Sequence, residues 1–189
     1  MLVVAGVVGV VGVVVAAIAI VAVTSSSATR TGPSRSLTSP STVGGHPILT
    51  GPAAEDVKAR VQDAVLRAAS KGDQLFQNAR VEVYGPATGA VPAVLFVGVS
   101  ASDSAKVAGL LHGETDRAHT NEVMQAFTDV NEFDPGPLGG SLRCGYAPAI
   151  SAACAWADYS TLGVLFFYDG TSPNQAASTS VDFRAQAEH

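Results

Sequence analysis

Residues 141 to 168 read SLRCGYAPAISAACAWADYSTLGVLFFY, and three short strands fit this stretch: roughly Leu142 to Ala147, Ala152 to Asp158 and Thr161 to Tyr168. The gaps between them leave room only for hairpins, so this part of the sheet is antiparallel. If the first turn runs through Pro148, Ala149 and Ile150, Ala147 faces Ser151, and counting back by equal steps sets Cys144 opposite Cys154. That register predicts a cross-strand disulfide, with two buried free thiols as the alternative. A CxxC redox site is excluded by the spacing, and zinc would need two more ligands than the cysteines and nearby histidines supply. The second hairpin turns at Tyr159 and Ser160, which sets Asp158 against Thr161 and Trp156 against Gly163. An aromatic ring over a cross-strand glycine is a packing device, so the single tryptophan reads as sheet structure. The other side of that strand, Ala153, Ala155 and Ala157, is small enough for a helix to pack closely against it.

Upstream, Pro52 opens an amphipathic helix with Glu55 and Asp56 in its first turn. Val57, Val61, Ala64, Val65 and Ala68 share one face of it, and Lys71 and Gly72 close it. ARVEVYG alternates like a half-buried strand, and AVLFVGVS is a continuous apolar run suited to the middle of a sheet. Ser102 is placed to cap a helix from Asp103 to His112, and a second helix runs from about Asp116 to Val130. At the far end Ser172, Pro173 and Gln175 have the order of a capping box with proline at the first helical position. The order α, β, β, α, α, β, β, β, α predicts an α+β fold, a mainly antiparallel sheet of about five strands with helices packed on one face.

The N-terminus is of another kind. From Leu2 to Val23 the chain is LVVAGVVGVVGVVVAAIAIVAV, 22 residues without a charge. As a helix these reach about 33 Å at about 1.5 Å per residue, against a hydrocarbon core of roughly 30 Å. Residues 1–23 are therefore expected to be a transmembrane helix in the lipid bilayer. A cleaved signal peptide is the competitor, but the run is about twice the usual signal core and lacks a basic region before it. Ala5, Gly9, Gly12, Ala16 and Ala19 form a small-residue stripe; Gly9, Gly12 and Ala16 are its centre and the candidate surface for helix packing and homo-oligomerisation. Residues 24–47, rich in Ser, Thr, Pro and Gly, read as a flexible tether, and residues 48–189 as the folded domain. Arg30 and Arg35 after the helix favour a cytoplasmic domain by the positive-inside rule. A large C-terminal domain and a cysteine pair favour the outside, which is the orientation expected here. A chain that begins one residue before its membrane run also reads as lacking a basic cytoplasmic head.

GGSLRC, nine residues, then CAWADYSTLG resembles a pattern in actinobacterial single-pass membrane-anchored proteins of unknown function, which join one N-terminal helix and a low-complexity tether to an extracytoplasmic domain. Gly139, Gly140, Cys144, Cys154, Trp156, Asp158, Thr161 and Gly163 carry the likeness, which covers about the last third of the chain. It implies a cell-membrane location with the C-terminal domain outside and a paired Cys144 and Cys154. No activity, cofactor or catalytic residue comes with it.

The charge balance excludes a nucleic-acid partner. Sixteen acidic and nine basic residues follow residue 47, a formal charge of -7, and the basic ones do not cluster. HGETDRAH offers His112, Glu114, Asp116 and His119 as metal-ligand types, but Gly113 reads as a helix end, so the segment is expected to be a solvated connection. Asp129, Asn131, Glu132 and Asp134 lack the glycine and terminal glutamate of a calcium loop. No nucleophile elbow, phosphate loop or zinc-protease motif occurs, and Asp158 with Thr161 is explained by bonding across a tight turn. No catalytic, cofactor or metal residue is therefore expected. The reading is of a membrane-anchored domain that binds a protein or envelope component, a non-enzyme, with a membrane-tethered or secreted envelope hydrolase as the alternative.

Overall fold

The structure is a computed structural model, and it describes residues 31–69, 79–86, 92–147 and 149–189. Within them the fold is α+β, built on one antiparallel sheet of six strands. In chain order the elements are β1 (Thr42–Val43), β2 (His46–Pro47), α1 (Pro52–Ala69), β3 (Arg80–Tyr84), β4 (Val94–Ser100), α2 (Ala105–Gly113) and α3 (Asp116–Met124). β5 (Thr128–Phe133), β6 (Ser141–Ala147), β7 (Ile150–Ala157), β8 (Thr161–Phe167) and α4 (Pro173–Ala187) complete it. The main sheet has the order β3-β4-β8-β7-β6-β5, while β1 and β2 pair only with each other. Helices α2 and α3 carry the chain from β4 to the far edge, and the β5 to β8 meander returns to pair β8 with β4.

Hairpin counting places the cysteines and the tryptophan correctly. Cys144 pairs with Cys154 and is disulfide-bonded to it, and Trp156 pairs with Gly163. The turn itself is one residue tighter than expected: Ala147 faces Ile150, and an irregularity between Gly145 and Ala147 absorbs the step before it reaches the cysteines. Phe96 lies parallel to Trp156 with ring centroids 6.0 Å apart, and Phe183 from α4 tilts against both. Beneath them Gly98 of β4 pairs with Gly163 of β8, the strand that lies between the two ring-bearing strands. A methyl group on Gly163 would stand 2.2 Å from the Trp156 ring.

Helices cover both faces of the sheet, not one. Val57 and Val61 of α1, Val107 and Leu111 of α2 and Val123 and Met124 of α3 pack with Leu95, Val97, Ala153, Ala155 and Ala157 on the first face. Ala176, Ala177, Phe183 and Ala187 of α4 cover the second, over the disulfide, Phe96 and Trp156. Alternation along β7 explains the split, because Ala153, Ala155 and Ala157 are small and face the α3 side while Cys154 and Trp156 point the other way. Both faces are apolar, so both must be covered.

The end of the expected tether is also part of this second layer. Leu37 and Val43 are buried in the core beneath α4, and Ser36 and Thr38 bond to the backbone of Ala187 and His189. The Tyr84 hydroxyl donates to Pro40 O at 3.0 Å. Gly44 and Gly45, both with positive φ, make the β1–β2 turn. Ile48 bridges to Tyr84, which places residues 36–48 against the sheet as a strap and moves the start of the folded unit to before residue 48. Two aliphatic side chains suffice because backbone pairing, not a core of its own, holds the segment.

Two further expectations change. The second helix stops at Met124, and Thr128–Phe133 forms a sixth strand at the sheet edge. Asp129, at φ 51°, sits in an irregular stretch of its pairing with β6, which hides the alternation from a sequence reading. Ser104, not Ser102, caps α2 by accepting from Val107 N. The capping box of α4 forms as expected, with Ser172 as N-cap and Gln175 reaching back. The expected membrane helix, with Gly9, Gly12 and Ala16, lies outside the described residues. Among the described residues no helix is long and apolar enough to cross a membrane.

Candidate functional site

Two polar clusters stand out in a domain otherwise sealed by apolar side chains. The first is centred on Asp158, at the turn between β7 and β8. One carboxylate oxygen, Oδ1, accepts from Ser160 N and Thr161 N at 2.8 Å each, the local bonding expected of this turn. The other, Oδ2, accepts from Arg35 Nη1 at 2.6 Å and faces Arg184 Nη2 at 3.8 Å. Arg184, on α4, is itself fully buried, and its Nε donates to Glu188 Oε1 at 3.0 Å. Its Nη1 donates to the carbonyls of Pro135 and Gly139, both at 3.1 Å, in the loop that precedes β6. The Thr161 hydroxyl lies 3.1 Å from both the Asp158 and Glu188 carboxylates.

Two arginines and two carboxylates thus balance within one largely buried network, with Nη1 of Arg184 met by backbone carbonyls. Satisfaction of this kind is what a buried charge requires, because desolvation otherwise outweighs the pairing. Chemically the network is a clasp. It joins the strap through Arg35, the late hairpin through Asp158, the β5–β6 loop and the end of α4. A sequence reading finds Asp158 and Thr161; Arg184 and Glu188, an i, i+4 pair at the end of a helix, are its distant half.

The second cluster is at the junction of α2 and α3. Glu114 immediately precedes Thr115, whose side chain caps α3 by accepting from Ala118 N. His119 and Glu122 follow one turn apart on that helix. One donor atom from each of Glu114, His119 and Glu122 lies within 4.8 Å of the other two. His119 is fully buried, and its Nε2 lies 3.2 Å from Leu111 O of α2. Of the expected ligand types in HGETDRAH, Glu114 and His119 are brought together. His112 stacks instead on Tyr159 at 4.0 Å between ring centroids. Glu122 was missed, although its i+3 spacing from His119 is the signal that points to it. Of the calcium-like group, Asp134 accepts from Gly136 N in a turn and Glu132 pairs with Arg117 at 2.9 Å.

A small groove of about 230 Å³ lies between the β1–β2 hairpin and α4, lined by Gly44, Gly45, Thr179, Asp182 and Gln186 among others. It is below the usual size of a small-molecule pocket. Near β2, His46 Nε2 meets Asp169 Oδ2 at 3.1 Å. Burial acts to raise the Asp169 carboxyl, but bonds from the Thr171 hydroxyl and N–H and from His46 outweigh it and hold the group below its ordinary range. On the first face, Lys58 pairs with Glu82 at 2.7 Å. Its ammonium is raised above its ordinary value because Glu82 and Glu55 outweigh the opposing effect of burial.

No protein-family profile, curated protein or solved structure matches the chain.

Proposed function

We propose that this chain is a single-pass membrane-anchored protein whose disulfide-stapled domain lies outside the cytoplasm and binds a protein or envelope component. The observation that carries the reading is the bonded pair Cys144 and Cys154 in the centre of the sheet, behind a run of 22 uncharged residues. Disulfides persist in oxidising compartments, and such a run is the length of one membrane crossing. Arg35 adds support. Its charge is committed to Asp158 inside the fold, so it belongs to the domain and not to the membrane flank that the positive-inside rule counts. A binding role is favoured over catalysis because Asp158, the polar group the sequence singles out, is engaged by the clasp.

The alternative, an envelope hydrolase, is favoured only by the convergence of Glu114, His119 and Glu122. A photo-crosslinking residue placed at Tyr146, the exposed large apolar side chain among the described residues, tests the binding reading on the full chain in native membranes. The expected result is one discrete cross-linked product of fixed mass that is lost when the membranes are solubilised and diluted. Uncross-linked monomer only, from Tyr146 and equally from positions on α4 and β5, would contradict it.

A further inference from the structure

The junction of α2 and α3 brings three side chains of metal-ligand type, Glu114, His119 and Glu122, to one place. Glu114 precedes the cap of α3, where capping is already supplied by Thr115, and Glu122 lies two turns further along. Between them His119 is buried completely. Its Nε2 faces the Leu111 carbonyl, which can only accept, so Nε2 carries the hydrogen and Nδ1 is the nitrogen able to offer a lone pair. This is the arrangement of a ligating histidine, whose second nitrogen is held by a backbone carbonyl that fixes its tautomer and orientation. Two carboxylates and an imidazole, with one donor atom from each within 4.8 Å of the others, make up the kind of donor set that a divalent cation takes.

We propose that Glu114, His119 and Glu122 form a divalent-cation site, and that zinc is the ion they select. The donor set decides the class. Magnesium and calcium prefer oxygen alone, whereas imidazole with carboxylates suits zinc. Three protein donors leave a fourth tetrahedral position for water or for an external ligand. The bound ion would tie the C-terminal end of α2, held through Leu111, to the first two turns of α3. This inference stands apart from the membrane reading above and survives its failure.

The test is calorimetric titration of the purified full chain, stripped with a chelator, with zinc chloride, beside Glu114→Gln and Glu122→Gln. These substitutions keep the shape of the side chain and remove its charge, and circular dichroism checks that each variant is folded. One zinc per chain is expected, bound at least about tenfold more weakly by either variant, since even outer-shell substitutions cost that much at zinc sites. In the unaltered chain, ¹⁵N spectra of labelled histidine should show the His119 ring shifting on zinc addition while His46, His112 and His189 stay in place. No zinc uptake, equal affinity in folded variants, or movement of another histidine in place of His119 would overturn the proposal. If a variant does not fold, the histidine spectrum of the unaltered chain decides alone.

Discussion

Gly163 and Trp156 show how far one absent side chain can fix a core. The indole lies where a Cβ on Gly163 would be, 2.2 Å from the nearest ring atom, and Phe96 and Phe183 close in around it. Gly163→Ala should therefore destabilise the domain by roughly 2–3 kcal/mol, read as a lower urea midpoint at unchanged slope. In a Trp156→Leu background the same substitution should cost at least about 1 kcal/mol less, because the clashing ring has gone. Additive losses would show that the ring and the glycine are independent. At the other end of the sheet, Asp169 is held below its ordinary value of 3.8 by Thr171 and His46. A depressed carboxyl adds stability above its unfolded pKa and loses it as pH falls through the folded one. The difference in stability between the native chain and Asp169→Asn is accordingly expected above about pH 4 and should vanish in stronger acid. A difference that persists below the folded pKa would mean that Asp169 acts by packing.

Among the elements, the strap is the least expected and the most easily tested. Its composition of Ser, Thr, Gly and Pro reads as linker, and nothing in residue type distinguishes a linker from a segment that borrows its hydrogen bonds from a neighbouring helix end. The legible signal was local: Val43-Gly44-Gly45-His46 has the glycine pair of a two-residue hairpin turn. Leu37→Ala should cost about 3 kcal/mol if the strap is core, and nothing measurable if it is tether. The late hairpins were readable because equal-step counting needs no tertiary information. The sixth strand was not, because Asp129 leaves the extended region and breaks the alternation. In the same way Cys144 and Cys154 were legible from register, whereas Arg184 and Glu188 join Asp158 only through the packing of α4. Replacing both cysteines by alanine should lower stability by roughly 3 kcal/mol, the chain-entropy value for a short loop. Arg184→Met, which leaves two carboxylates facing each other without their shared cation, should cost about 3–5 kcal/mol, again read by urea unfolding.

At the scale of the whole molecule, the strap sets the start of the described fold before residue 48. The packed structure reaches back to Arg35, whose side chain is bonded to Asp158, so part of the 24–47 segment expected to be tether is folded. The strap and the C-terminal residues pair directly, Ser36 with His189, which brings both ends of the folded unit to one place. The claim on which this account turns is that the domain lies outside the cytoplasm with its disulfide formed. It is measured most directly by labelling intact cells with a membrane-impermeant maleimide, using the full chain with one added cysteine at Ala185, an exposed position on α4. The account predicts labelling of Ala185→Cys in intact cells, with Cys144 and Cys154 labelled only after denaturation and reduction. Labelling of the added cysteine only after lysis, with Cys144 and Cys154 reactive upon denaturation without reductant, would contradict it.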